Sequence, residues 1–171
     1  MGLLDKLKEK TRGIVGSVKP EAGAPVLGEA GVRARLHAIS GRGVGVRDDG
    51  EDVAVSWSAK VASVGIGGGG YEYRYRALRV TLNPAKHTAA GICFKTSTDA
   101  ELTAEGLSVA KGWERGQHVG SEKLRVLAWL GPHYVKGGAG EEGYEFRWSD
   151  LRDPVIDAVT GAGWTYKAEL A

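Results

Sequence analysis

The chain has 171 residues, of which 42% are hydrophobic and 26% are charged, a composition that is ordinary for a globular protein and excludes wholesale disorder. Its single cysteine, Cys93, excludes an internal disulfide and fits a reducing compartment. Since no apolar run approaches the length of a membrane span and residues 1–10 lack the uncharged core of a signal peptide, we expect a cytoplasmic protein.

The formal charge of +2 is concentrated at one end of the chain. Residues 1–19 hold five basic and two acidic side chains, which leaves 18 basic and 19 acidic side chains in residues 20–171. The body of the protein therefore has no overall positive field with which to attract nucleic acid, and a nucleic-acid partner is not favoured.

Residues 1–18 have the apolar spacing of an amphipathic helix with basic side chains on its other face. Prolines and small residues follow at 19–26, where we predict a linker, and residues 27–171 then form a single domain. A basic amphipathic helix can dock on its own domain, self-associate, bind a protein partner or lie peripherally on an anionic membrane. The interaction residues predicted in this helix are Leu4, Lys6, Leu7, Lys10 and Ile14.

A second helix is predicted at about 29–41, because apolar residues recur there on one stripe. A β-hairpin is predicted directly after it, with a turn at Asp49-Gly50. The alternating apolar residues of the two hairpin strands are Val44, Val46, Val53, Val55 and Trp57.

Residues 38–47 and 158–167 share the pattern A-[I/V]-[S/T]-G-x-G-[V/W]-x-[V/Y]-[R/K]. The pattern predicts a helix that ends at a glycine in the left-handed region and continues as a strand. The helix ahead of the second copy is predicted at about 151–162. Two explanations of the similarity are open: an internal duplication, or the independent occurrence of the same helix-to-strand connection at two places in the chain.

The middle of the chain has mostly strand patterns. Residues 71–82 are extended, but their apolar phase switches from odd to even positions, which predicts a bulge or a change of packing layer. Residues 121–130 fit either a helix capped by Ser121 or a strand that alternates from Leu124 to Leu130.

A glycine-rich segment at 65–70 spells G-x-G-x-x-G. A dinucleotide loop needs a helix after its last glycine, so that the helix N-terminus faces the pyrophosphate. Here the next residues alternate aromatic and charged side chains, which is a strand pattern. We therefore interpret the segment as a hairpin tip and predict no bound cofactor.

The strand after this tip carries the second group of candidate site residues: Tyr71, Tyr73, Arg74, Tyr75 and Arg76. The tyrosines could line the pocket of a small-ligand-binding protein or an enzyme. Alternatively, stacking on the tyrosines with phosphate contacts from the two arginines would suit single-stranded nucleic acid.

Other reactive side chains give no pattern of a site. Cys93 lies in an apolar strand pattern, so we predict a buried, inert thiol. The four histidines lack metal-ligand spacing, and no second cysteine accompanies Cys93, so no metal is predicted.

Together these patterns predict an α+β protein: a largely antiparallel sheet, two helices at 29–41 and 151–162 packed on it, and the N-terminal helix. The function favoured is a non-catalytic binding or assembly module that engages a protein partner, itself or a membrane surface through residues 1–18. An enzyme is the less favoured interpretation.

Overall fold

The computed structural model describes residues 16–65, 68–103, 106–118, 120–130 and 141–169, with no side chain described at 63–69 or 97–113. Within these ranges nine strands form a single mixed sheet, and two α-helices pack against it. The strands are β1 (Ser17–Val18), β2 (Val44–Asp49), β3 (Asp52–Gly65), β4 (Gly68–Asn83), β5 (Thr88–Thr103), β6 (Gly106–Gly116), β7 (Ser121–Leu130), β8 (Glu141–Arg147) and β9 (Thr165–Ala168). The helices are α1 (Glu29–His37) and α2 (Trp148–Thr160), and a short 3₁₀ helix spans Pro84–Lys86.

The strand order is β1-β9-β5-β4-β3-β7-β8, with β2 paired to β3 and β6 paired to β5. The β5–β9 pair is parallel and the other pairs are antiparallel. One edge of β3 pairs with two strands, β2 and β7, and one edge of β5 pairs with β9 and β6. β5 pairs with β9 over Thr88–Gly91 and with β6 from Cys93 onward, so the sheet branches and curls into a half-barrel.

The core lies on the inner face of the curled sheet, under the two helices. On β3, alternate residues from Val53 to Val61 are almost fully buried, as their alternating pattern predicts. Val32 and Leu36 of α1 and the apolar stripe of α2 cover them. Burial of these side chains is the main favourable term that holds the helices on the sheet.

The predicted α+β class is wrong, because the chain is mostly β. The apolar patterns marked only parts of strands, whereas β4 and β5 each run for 16 residues. Both strands continue into polar and glycine-rich sequence that has no apolar face. There the strand is maintained by the backbone hydrogen bonds of the long hairpins. The predicted N-terminal helix at 1–18 falls almost entirely outside the described residues, and its last two residues form β1.

The two helices of the domain differ from their predicted bounds. α1 ends at His37 rather than at Gly41, because a turn begins at Ala38. α2 begins at Trp148, three residues before the predicted start, because the Asp150 carboxylate accepts a hydrogen bond from the Arg147 backbone N–H and caps the first turn. Pro154 therefore lies inside the helix rather than at its start.

Other sequence patterns are decided by backbone geometry. The hairpin after α1 is confirmed, with Gly50 at φ +68° in its turn. Residues 121–130 are a strand. The predicted phase change at 71–82 is wrong, because β4 pairs with β3 and β5 without a register shift.

In both copies the second glycine of the repeated pattern has a positive φ. Gly43 has φ +72° and Gly163 has φ +78°. The glycine at the end of α2, Gly161, has φ −66°, so the predicted left-handed helix end is wrong there. At Gly163 a Cβ atom would lie 2.6 Å from the Pro25 carbonyl oxygen, so the predicted linker segment 19–26 ends in contact with this turn. The Trp164 indole N–H then donates to the Leu27 carbonyl at 2.8 Å. The shared backbone geometry is compatible with duplication, which stays an interpretation.

Candidate functional site

The inner face of β4 changes from apolar to charged along the strand. Leu78 and Val80 are buried in the core, and the next even positions toward the hairpin tip hold Arg76, Arg74 and Glu72. The apparent phase switch in the sequence is therefore a change in side-chain chemistry on a single face. Tyr71, Tyr73 and Tyr75 occupy the outer face of the same strand.

An ion-pair network, formed by Glu72, Arg74, Arg76 and Glu122, fills this charged part of the inner face. Arg76 has no exposed surface, and its Nη2 donates to the two carboxylate oxygens of Glu122 at 2.9 and 2.8 Å. Its Nη1 donates to two backbone carbonyls at 3.1 Å. Arg74 donates to Glu122 at 2.6 Å and also pairs with Glu72.

The network holds Glu122 in its charged form. Burial by itself would raise the pKa of Glu122, but the hydrogen bonds and charge of Arg76, together with the charges of Arg74 and Lys95, outweigh it and lower that pKa. With this geometry the predicted site residues Arg74 and Arg76 are engaged in ion pairs inside the protein. Glu122 could not be predicted as their partner from local patterns, since it lies 46 residues beyond Arg76.

The three predicted site tyrosines form part of an exposed surface. Tyr73 is 41% exposed, and its ring meets that of Tyr71 edge-on with centroids 5.6 Å apart. The Lys60 ammonium lies 3.7 Å from the centroid of the Tyr71 ring, a cation–π contact. These side chains lie on the face opposite the two helices.

A cluster of aromatic rings lies on the inner face where β3 meets the β7–β8 hairpin. The Trp57 ring lies 4.7 Å from that of Phe146, and it is stacked nearly parallel to that of Tyr144 at 6.0 Å. Trp129 meets Tyr144 edge-on at 4.7 Å. Alternation on β8 brings Tyr144 and Phe146 to the same face, and α2 starts directly after them.

A cavity of about 320 Å³ opens beside these rings, and we call it the aromatic cavity. It lies between the α1–β2 connection, strands β3 and β8, and the first turn of α2. Its volume is at the lower end of the range for ligand-binding pockets. The lining residues are Ser40, Gly41, Arg42, Val44, Trp57, Tyr144, Phe146, Asp150 and Leu151.

The polar groups of the aromatic cavity gather around the Tyr144 hydroxyl. Burial raises the pKa of Tyr144, and the nearby carboxylates of Asp150 and Glu141 raise it further. The Trp57 indole N–H and the charge of Arg42 act in the opposite direction, and the net pKa is raised. Tyr144 therefore stays protonated at neutral pH and can donate a hydrogen bond.

The Trp57 indole N–H makes no hydrogen bond within the described part of the chain, although the side chain is only 1% exposed. It lies near enough to the Tyr144 oxygen to affect that group's pKa, but the two do not meet hydrogen-bond geometry. On its other side it approaches Gly43, where a Cβ atom would lie 3.4 Å from Nε1. Trp57 is one of the residues that line the aromatic cavity.

Cys93 lies elsewhere on the inner face and is 1% exposed, so its predicted burial is confirmed. Burial raises the pKa of the thiol, and the backbone of His118 and the charge of Arg152 only partly oppose this. The thiol contacts the Gln117 side-chain oxygen at 3.9 Å. The His118 ring stacks on Trp148 with centroids 4.8 Å apart.

The other predicted features are placed as follows. The five interaction residues of segment 1–18 (Leu4, Lys6, Leu7, Lys10 and Ile14) lie outside the described residues. In the portion of the chain that is described, no three His, Cys, Asp or Glu side chains are grouped so as to hold a metal ion. None of the helices described is long and apolar enough to cross a membrane.

Comparisons of this chain with protein-family models, with curated proteins and with solved structures found no match.

Proposed function

We propose that this protein is a non-catalytic binding protein whose ligand is a small molecule held in the aromatic cavity. The observation that carries the proposal is that Trp57, whose side chain lines the cavity, has a buried indole N–H without a partner among the residues described. A buried donor without a partner costs about 1–3 kcal/mol, and a ligand that supplies an acceptor recovers that free energy.

The composition of the cavity wall supports binding. Trp57, Tyr144 and Phe146 provide apolar ring surface, and a few polar groups are positioned to orient a ligand. The Tyr144 hydroxyl is protonated at neutral pH, and burial raises its pKa further, so it can donate a hydrogen bond to a ligand.

This proposal keeps the favoured class, a non-catalytic binding module, but moves the ligand site away from the tyrosines of β4. Those tyrosines lie on the outer face of the sheet, and the aromatic cavity lies on the inner face. Single-stranded nucleic-acid binding through Arg74 and Arg76 is not favoured, because both guanidinium groups are paired with Glu122.

Engagement of a protein partner, a second copy of the chain or a membrane surface by segment 1–18 remains a second proposal. Its support is the amphipathic pattern together with the position of β1. Ser17 and Val18, the last two residues of the segment, pair with Lys167 and Tyr166 of β9. Truncation of residues 1–15, which leaves β1 intact, tests it: unchanged oligomeric state, partner binding and cellular position would contradict the proposal.

Protein-observed ¹H–¹⁵N NMR of the full chain against a library of small fragments tests the cavity proposal. We expect bound fragments to shift the Trp57 indole Hε1 resonance. The Trp164 indole N–H already donates to Leu27, so its resonance is an internal control that should not move. Trp57→Phe keeps a ring but removes the donor, and Tyr144→Phe removes the hydroxyl.

Each variant should weaken binding by about fivefold or more, the equivalent of one hydrogen bond. Fragments that bind without shifting the Trp57 resonance would contradict the proposal, and so would a library that yields no binder.

A further inference from the structure

We propose that His118 makes a pH-sensitive contact with the start of α2, which is closed while the imidazole is neutral and opens when the imidazole is protonated. Such a contact is a regulatory device that operates whether or not the aromatic cavity holds a ligand. Three observations support it: the packing of His118 and Gly120 on α2, a buried ring nitrogen without a partner, and surrounding charges that are already paired.

His118 and Gly120, which follow β6, contact the first two turns of α2 in three ways. The His118 ring stacks on that of Trp148, with centroids 4.8 Å apart and an angle of 24° between the planes. The His118 carbonyl accepts a hydrogen bond from Nη1 of Arg152 at 3.5 Å. The Gly120 carbonyl accepts one from the Trp148 backbone N–H at 3.3 Å, which satisfies a donor at the start of the helix. We call these three interactions the α2 contact.

The His118 ring is sensitive to protonation because its Nε2 atom is buried and has no hydrogen-bond partner within the described part of the chain. In a neutral ring this atom can be the unprotonated nitrogen, which needs no acceptor. In an imidazolium both nitrogens carry a proton, and a buried N–H without an acceptor is costly. Stacking on Trp148 does not itself disfavour the charge, since the faces of aromatic rings attract cations. The unpartnered nitrogen therefore makes the contact depend on pH.

The charged side chains around His118 form pairs of opposite sign, so no net negative charge is left to favour an imidazolium. The pairs are Lys95–Glu114 between β5 and β6, Arg152–Asp153 on α2, and Arg76–Glu122 between β4 and β7, and the neutral Cys93 thiol of β5 faces the His118 backbone. Burial is the largest effect on the pKa of His118. Glu114 acts against burial and the charges of Lys95 and Arg76 act with it, and the net pKa is lowered.

The direction of the switch follows from this difference between the closed and open forms. An exposed imidazole has a pKa of about 6.5, so the open form takes up a proton at a higher pH than the closed form does. The α2 contact is therefore stable at neutral pH and weakens in mild acid. Leu151 lies between Trp148 and Arg152 on α2 and lines the aromatic cavity, so the contact also supports one wall of that cavity.

Amide hydrogen exchange of the full chain at about pH 7.5 and about pH 5, corrected for the intrinsic effect of pH on exchange, tests the proposal. The Trp148 amide reports the contact directly, because it donates to the Gly120 carbonyl. We expect its protection factor to fall by about fivefold or more at the lower pH, in step with the titration of the His118 ring observed by NMR. The Gly161 amide, which donates to Asp157 at the other end of α2, should keep its protection.

His118→Phe is the matched variant, because a phenyl ring can stack on Trp148 but has no nitrogen to protonate. It should keep the Trp148 amide equally protected at both pH values. His118→Gln, which is polar but does not titrate, should likewise remove the pH effect even where weaker packing lowers protection at both values. His37→Gln removes an imidazole of α1 that pairs with Asp48, and it should leave the pH effect unchanged.

Three results would overturn the proposal. The first is unchanged protection of the Trp148 amide at the two pH values in the unmodified chain. The second is an equal loss of protection in His118→Phe, or a loss whose midpoint differs from that of the His118 titration. The third is a parallel loss at Gly161, which would show that acid unfolds the protein as a whole rather than opening the α2 contact.

Discussion

Arg76 on β4 is bonded through its guanidinium to the carboxylate of Glu122 on β7, although β3 lies between these two strands in the sheet. β7 pairs with β3 only from Val126 to Leu130, at its far end, and Glu122 lies several residues before that pairing. The ion pair therefore links two parts of the curled sheet that backbone hydrogen bonds do not join.

Removal of Glu122 should destabilise the protein strongly, because it leaves the fully buried Arg76 without a counterion. We expect Glu122→Ala to lower the free energy of unfolding by about 3 kcal/mol in urea titrations. The control is Glu142→Ala, which breaks an exposed pair with Arg125 and should cost less than about 0.5 kcal/mol. The double variant Arg76→Met with Glu122→Met should be less destabilised than Glu122→Ala. Equal losses of unfolding free energy in Glu122→Ala and Glu142→Ala would show that the buried pair stabilises the protein no more than the exposed pair does.

The same pair gives stability a pH dependence. The folded protein lowers the pKa of Glu122 below its usual 4.5, so the unfolded chain takes up a proton at a higher pH than the folded one. The stabilisation is fully present above pH 4.5 and is lost as the pH falls through the lower folded pKa. The urea midpoint should therefore fall below pH 4.5, and it should fall less steeply in Glu122→Gln. A parallel decline in the two proteins would contradict this assignment.

Gly91 should not tolerate a side chain, because the Tyr166 ring lies directly over it. A Cβ atom at this position would lie 2.8 Å from Cζ and from Cε2 of Tyr166. We expect Gly91→Ala to cost about 1–3 kcal/mol of unfolding free energy, as overpacking of a core does. In a double-mutant cycle with Tyr166→Leu the two costs should not add. Gly28→Ala is the steric control, since no atom apart from its chain neighbours lies within 4 Å of its added Cβ. Any cost at Gly28 then reflects its N-cap position on α1 and not overpacking.

The Cys93 thiol should react slowly with thiol reagents while the protein is folded. It is buried, and that burial raises its pKa, so little thiolate is accessible at neutral pH. We expect labelling by a disulfide reagent at pH 8 to follow the unfolding rate in native buffer and to be complete within mixing in concentrated urea. Rapid labelling of the folded chain, at a rate that urea does not change, would show that the thiol is accessible.

Local patterns predicted those parts of the fold that local chemistry controls. The alternation of Val53, Val55 and Trp57 correctly gave a strand with one buried face, and Gly50 correctly gave its turn. The length of β4 and β5 was not predictable in this way, because the halves of these strands that lie beyond the apolar core are polar. Pairing with each other holds these halves in the sheet. Strand length there depends on pairing with the neighbouring strands β3, β5 and β6, which the apolar pattern does not indicate.

The site was harder to predict than the fold, because its residues come from distant parts of the chain. Trp57 and Tyr144 stack only after β7 has paired with β3. The alternation of Tyr144 and Phe146 indicated a shared face but not what lies opposite. Arg76 was predicted as a contact for a ligand or nucleic acid, since nothing local indicates that Glu122 pairs with it.

The pairing of β1 with β9 has a consequence for how the chain folds. Ser17 lies beside Lys167, so this edge of the sheet joins segments separated by almost the whole described sequence. Contacts between residues so far apart in the sequence form slowly, because closing a long loop costs conformational entropy before the strand pairing contributes any stabilisation. During synthesis on the ribosome, Ser17 and Val18 must wait for β9 to emerge, and the β5 edge that β9 covers stays open to other strands until then.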